Sequence, residues 1–361
     1  MFAFVGNATE DDSVSGLYAF AVDEQSGGLD LQQFVGQPHP HYVAVSPSGK
    51  QLFAASFVMF TDGSPGGSVY SYAIDPADGR LTEINHRVLP FTCPNFLQTD
   101  RSESFLLVAC TSGGGIAVLP IDAEGALGHP SSVHAHPGTP WVPLGATVRP
   151  EQRPHDECCP HAIAVDPSNR LVIVPDLALD RIVPYRFDAG TGRLDPLATG
   201  VDLPRKTGPR HLVFHPLNGM MYVLNETASS LTVFSYDPDR GSVEPLHTVS
   251  ALPPDFTGHN MSAELVLGQQ GKFLYCTNRG HDSVAVFAVS GSAPYLEPLE
   301  WQQTHGRGPR GLALAPDERL MFVTNRGSDS VSTLAVDQAS GRLDATGLSA
   351  DVAAPSSIAV I

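Results

Sequence analysis

Residues 209–246 read PRHLVFHPLNGMMYVLNETASSLTVFSYDPDRGSVEPL. The same unit recurs over 160–197 as PHAIAVDPSNRLVIVPDLALDRIVPYRFDAGTGRLDPL and over 309–346 as PRGLALAPDERLMFVTNRGSDSVSTLAVDQASGRLDAT. Each copy opens with a short alternating strand that ends in a Pro-containing turn. A second apolar strand ends in Asn or Asp, a third reads like SVAVF, and after a turn such as ASGRL a fourth strand follows. Alternation with period two, punctuated by Gly, Pro, Asn and Asp, specifies antiparallel hairpins. Four strands in succession form a meander, the blade of a propeller.

Weaker copies start at Pro40, Pro94 and Ser262. A seventh unit is split, because the chain ends in PSSIAVI, a first strand alone, and begins with MFAFVGN and GLYAFAVDEQSGGLDLQ, the remaining three. Joining the termini in one blade closes the ring and removes the open sheet edges. The repeat averages roughly 50 residues, as propeller blades do. The expected fold is therefore all-β: one domain over residues 1–361, a seven-bladed propeller of four-stranded antiparallel blades.

Composition agrees. The chain has 34 Gly and 31 Pro among 361 residues and no long window with helical apolar spacing, so almost no helix is expected. A net charge of −17 argues against nucleic-acid or anionic-membrane partners, which require clustered Lys and Arg. The five cysteines lack a disulfide framework and read as reduced thiols. MFAFVGN has neither a basic flank nor an apolar run long enough for a signal peptide or a membrane span. A cytoplasmic monomer or weak homodimer is expected.

The stretch RPHDECCPH (153–161) places His155, Cys158, Cys159 and His161 within seven residues, which looks like a metal site. Zinc sites usually draw paired ligands from separate knuckles. Cys159-Pro160-His161 also occupies the slot of Gly208-Pro209-Arg210 and Gly308-Pro309-Arg310. His161 is therefore read as the start of a blade, and no metal or other cofactor is expected.

In a propeller the innermost strand begins beside the end of the second strand, so both positions surround one mouth of the central channel. The beginning slots are His41, Asn95, His161, Arg210, Ala263, Arg310 and Ser356. The ending slots include Asp176, Asn225 with Glu226, Asn278 with Arg279, and Asn325 with Arg326. Arg210 and Glu226 lie on the two strands of one hairpin and should meet.

The motifs PHAIAVDP, GPRHLVFHP, YVLNE, DFTGHNMSAE, YCTNRGHDSVAVF and RGPRGLALAPD resemble those of the seven-bladed propeller lactonase family, which includes a bacterial 6-phosphogluconolactonase and the fungal carboxy-cis,cis-muconate cyclase. By resemblance to the family's cyclase branch, a His, two Arg and a Glu are implied at the channel mouth, and these fall on His161, Arg210, Arg279 and Glu226. His41, Asp176, Asn225, Asn278 and Arg310 are the candidate substrate-binding residues around them. Asn95 stands where His or Arg is usual, and the loop from His129 to Pro160 is longer than expected.

The chemistry these residues could perform is lactone hydrolysis. It needs a base to activate water, a donor for the oxyanion and a grip on the rest of the molecule. Glu226 or His161 could be the base. Arg210 and Arg279 could hold the oxyanion and a carboxylate or phosphate through forked hydrogen bonds. Arg310, Arg307 and the Arg205-Lys206 pair are further phosphate candidates. The expected partner is a small anionic lactone, with 6-phosphogluconolactone the first choice. A cyclase-type lyase or isomerase and a non-enzymatic binding propeller are the alternatives. The Asn slots have a competing role as turn residues, and Asp176, Asn225, Glu226 and Asn278 could instead hold Ca²⁺. The segments 56–68, 129–160 and 252–260 should wall the pocket.

Overall fold

The structure is a computed structural model that describes residues 1–9, 11, 13–59, 65–140, 157–293 and 295–361. Seven antiparallel sheets follow one another around a channel. Their innermost strands are Pro40–Val45, Thr92–Thr99, Ala164–Val165, Pro209–Phe214, Met261–Leu267, Pro309–Leu314 and Pro355–Val360, and they define blades 1 to 7. Blade 3 carries an extra short strand, Val201–Asp202, on Arg181–Asp188. Thr139–Pro140 and Glu157–Cys158 pair separately and in parallel. The described residues contain no α-helix; Arg326–Ser328 forms a short 3₁₀ turn.

Blade 7 is assembled from both termini, as the split repeat implies. Pro355–Val360 pairs with Phe2–Asn7, placing Ala3 opposite Val360 and Val5 opposite Ile358. Gly16–Val22 and Leu29–Gly36 complete the sheet.

The second strands are continuous apolar runs because each is covered by a blade on either side. Every residue of Phe105–Ser112, Leu171–Asp176, Met220–Asn225 and Leu320–Asn325 is buried. The core thus lies between blades. Phe53 and Val69 of blade 1 pack with Leu97, Leu106 and Val108 of blade 2, and Ala3, Val5 and Phe20 pack with Phe322 and Val331 across the closure. Outer strands such as Ser242–Ser250 alternate with solvent. Fourteen strands therefore serve mainly to hold seven inner hairpins, and through them one ring of side chains, in fixed positions.

Candidate active site

A register shift recurs at the start of every innermost strand. Pro209 faces Asn225 while His211 faces Leu224, so Arg210 is an extra residue without a partner. The same shift falls at His41, Asn95, Arg310 and Ser356. It lies between Ser262 and Leu265 in blade 5 and between Pro160 and Ala164 in blade 3. A β-bulge bends the strand and re-aims its side chain, so the seven slot residues leave the ladder at one mouth. Gly208 precedes the bulge of blade 4 at a φ of 64°, where a Cβ would meet Thr227 Oγ1 at 2.4 Å. Only glycine fits that approach.

The mouth brings blades 4 and 5 together in one charged group. Glu226 Oε2 lies 2.7 Å from Arg210 Nε and 3.1 Å from Arg279 Nη2. The Arg210 side chain is 3% exposed, that of Glu226 10% and that of Arg279 17%, so this ion triad is largely removed from water. Burial raises the Glu226 pKa, but Arg279, Arg210 and Arg310 outweigh it and hold the carboxyl below the usual glutamate range. Arg279 also donates to the carbonyls of Met261 and Ser262.

His161 is buried beside this group, with Asn95 Nδ2 at 3.0 Å from its Nε2. Burial, then the charges of Arg210, His211, Arg310 and Arg279, push its pKa well below the ordinary histidine value. It is a neutral imidazole at neutral pH. Arg310 Nη2 donates to Asn95 Oδ1 at 3.4 Å. The His41 pKa is pushed down to about 3 by burial and then by Arg310 and Arg326. His161, Arg210, Glu226, Arg279, Arg310 and His41 therefore share one electrostatic environment. It is locally positive, although the chain carries −17 overall.

The family described as "Lactonase, 7-bladed beta-propeller" matches residues 2–360. This chain is a member of that lactonase family. It is 30% identical over 358 residues, 99% of this chain and 97% of the relative, to the 6-phosphogluconolactonase of Bacillus subtilis (strain 168). It is 32% identical over 288 residues, 78% of this chain and 77% of the relative, to that of Pectobacterium carotovorum subsp. carotovorum (strain PC1). The periplasmic gluconolactonase PpgL of Pseudomonas aeruginosa superimposes with a TM-score of 0.86 at 27% identity, covering 99% of this chain and 98% of the other.

Three residues expected to bind substrate are fully buried and hydrogen-bonded within the protein. Asp176 is inaccessible: its Oδ1 accepts from the Cys159 and Leu179 amides, and its Oδ2 lies 2.8 Å from His136 Nδ1. Asn225 donates to Ser230 Oγ and Thr232 Oγ1, and Asn278 donates to the Ala251 carbonyl while accepting from Ser262 Oγ. All three are fully buried. They tie the strands of their own blades and adjoining turns. Asp176, Asn225 and Asn278 are thus each engaged within the protein, and the fourth Ca²⁺ candidate, Glu226, is engaged by two guanidiniums. Among the described residues no three His, Cys, Asp or Glu side chains gather as a metal-binding group; His155 lies outside the described residues, as do 60–64 and 141–156 of the expected pocket walls.

The sequence reading missed a second tier, one residue beyond the slots. His211 Nδ1 lies 2.6 Å from Glu264 Oε1, and Arg210 Nη1 donates to His211 Nε2 at 3.1 Å. Burial lowers the His211 pKa to about 4 despite Glu264, so the ring is neutral. Its proton sits on Nδ1, toward the carboxylate, and its Nε2 lone pair receives the arginine. The rings of Tyr42 and Phe96 pack edge-on against His211. A cavity of about 320 Å³ reaches this tier from the opposite side. Adjacent residues of a regular strand face opposite ways; the bulge lets Arg210 and His211 meet.

Proposed function

We propose that this protein is a lactonase that hydrolyses an anionic sugar lactone, with 6-phosphogluconolactone as its substrate. The observation that carries the reading is the division of charge at the mouth. Glu226 is anionic and engaged by two guanidiniums, whereas His161 is neutral and paired only with the Asn95 amide among the described residues.

That division supports the following roles. A carboxylate held by Arg210 and Arg279 is a weak base, so Glu226 orients the two arginines. His161 takes the proton from water as its oxygen attacks the lactone carbonyl carbon. Arg279 stabilises the oxyanion, as preorganised donors do. Collapse of the tetrahedral intermediate breaks the ring C–O bond, and the His161 imidazolium returns its proton to the departing ring oxygen. The product is the open-chain aldonic acid, which loses its carboxyl proton to solvent and leaves as the aldonate. Positive neighbours make free His161 a poor base, but an anionic substrate offsets their charge and raises its pKa toward the working pH, where general-base catalysis is most efficient. Relatives named 6-phosphogluconolactonase support the same substrate.

The test is an assay of purified protein against 6-phosphogluconolactone and carboxymuconate, with spontaneous lactone hydrolysis subtracted. Lactone turnover that falls on the order of 10² to 10⁴-fold in His161→Gln, the usual loss for a general base, supports the reading. Turnover of carboxymuconate alone overturns it.

A further inference from the structure

We propose that Arg310 and Arg326 of blade 6, with His41 of blade 1, form a seat for a phosphate monoester dianion, separate from the Arg210, Glu226 and Arg279 group that handles the lactone ring. The inference rests on the proposed lactonase activity and adds how the substrate is gripped.

Arginines at this mouth fall into two kinds. Arg210 and Arg279 share the Glu226 carboxylate. Arg310 has only the neutral Asn95 oxygen, at 3.4 Å, and Arg326 donates to the Ala8 carbonyl at 3.1 Å. Among the described residues neither forms an ion pair. Arg310 is a partly buried cation with like charges around it: burial first, then Arg210, Arg326 and Arg279, drive its pKa down. A partly buried charge without a counterion is costly, and an incoming anion removes that cost.

Room and charge count select the ligand. The slots on either side of Arg310 are Ala263 and Ser356, both small and buried; the Arg210 guanidinium reaches into the first, donating to the Ala263 carbonyl, so the room beside Arg310 lies on the Ser356 side. The Ser356 hydroxyl is engaged by the His41 carbonyl at 2.8 Å, which ties blade 7 to the His41 strand. Two unpaired guanidiniums match a group carrying nearly two negative charges at pH 7, as a phosphate monoester does and one carboxylate does not. Its three oxygens can accept from two forks and from the neutral His41 ring.

The experiment compares 6-phosphogluconolactone with glucono-lactone, the same ring without phosphate, in Arg310→Gln and Arg326→Gln. Arg319→Gln is the control for net charge, since Arg319 pairs with Asp317 beyond the far end of strand Pro309–Leu314. The ratio of kcat/KM for the phosphorylated over the plain lactone should fall about 10- to 100-fold in Arg310→Gln, the range for losing a charge-assisted hydrogen bond, mainly through KM. It should fall less in Arg326→Gln, whose exposed side chain can be replaced without unfolding, and stay unchanged in Arg319→Gln. Equal losses on both lactones would overturn the seat. If the protein hydrolyses neither lactone, the proposed function fails, and calorimetry with 6-phosphogluconate decides the seat alone. Binding weakened by Arg310→Gln and by Arg326→Gln upholds it; no binding, or binding indifferent to both, overturns it.

Discussion

Glu226→Gln removes the one carboxylate shared by Arg210 and Arg279 and leaves two guanidiniums facing each other in a largely buried site. Losing one partner of a buried ion pair costs about 3 to 5 kcal/mol. The unfolding entropy of a 361-residue chain, at roughly 2.1 cal/mol/K per residue, is about 0.76 kcal/mol/K. The melting temperature at pH 7 should therefore fall about 4 to 7 °C. Calorimetry at matched scan rates measures it. The pH dependence has a definite sign. Glu226 is more acidic folded than unfolded, so its contribution is complete above the unfolded value of about 4.3. It is lost progressively as pH falls from that value through the lower folded one, and the gap between wild type and variant should narrow across that window. Inorganic phosphate should also raise the melting temperature of the variant more than that of the wild type, because the variant mouth lacks its internal anion. A shift under 1 °C at pH 7, with equal phosphate responses, would refute the ion-triad reasoning.

Three further outcomes are expected. The acid limb of kcat/KM should lie below pH 6.5, the ordinary histidine value, because burial and neighbouring charge depress His161. Arg310→Gln removes one of those charges and should move that limb upward; a limb that stays in place would separate His161 from the rate. Glu264→Gln deprives the His211 proton of its carboxylate acceptor, so kcat should fall about 10-fold through a misplaced Arg210, the scale of one charged hydrogen bond. Glu264→Asp should recover part of that loss, and equal activity in both variants would make the pair structural. Deleting 355–361 removes the innermost strand of blade 7 and exposes the edge of Phe2–Asn7, so the protein should aggregate. A soluble product with a cooperative melt would contradict closure by that strand.

The sequence alone determined the blade count, the split blade and the mouth that gathers Arg210, Glu226 and Arg279. Each is a local matter: period-two alternation, Gly- and Pro-bearing turns, and a repeat whose missing strand is found at the other end of the chain. What the ending slots could not show is that Asp176, Asn225 and Asn278 are fully buried and engage His136, Ser230, Thr232 and Ala251. Burial depends on the neighbouring blades, which no single repeat contains. Tertiary structure also decided which residues stand together. The bulge at each inner strand is a mismatch between two strands and so leaves no mark on either one alone. Glu264 and His211 are 53 residues apart and Asn95 and His161 are 66 apart; these pairs meet because the ring sets successive blades side by side around one axis. The sequence specifies what each blade offers to the channel, and ring closure, which fixes the distances between blades, decides which of those charges are paired.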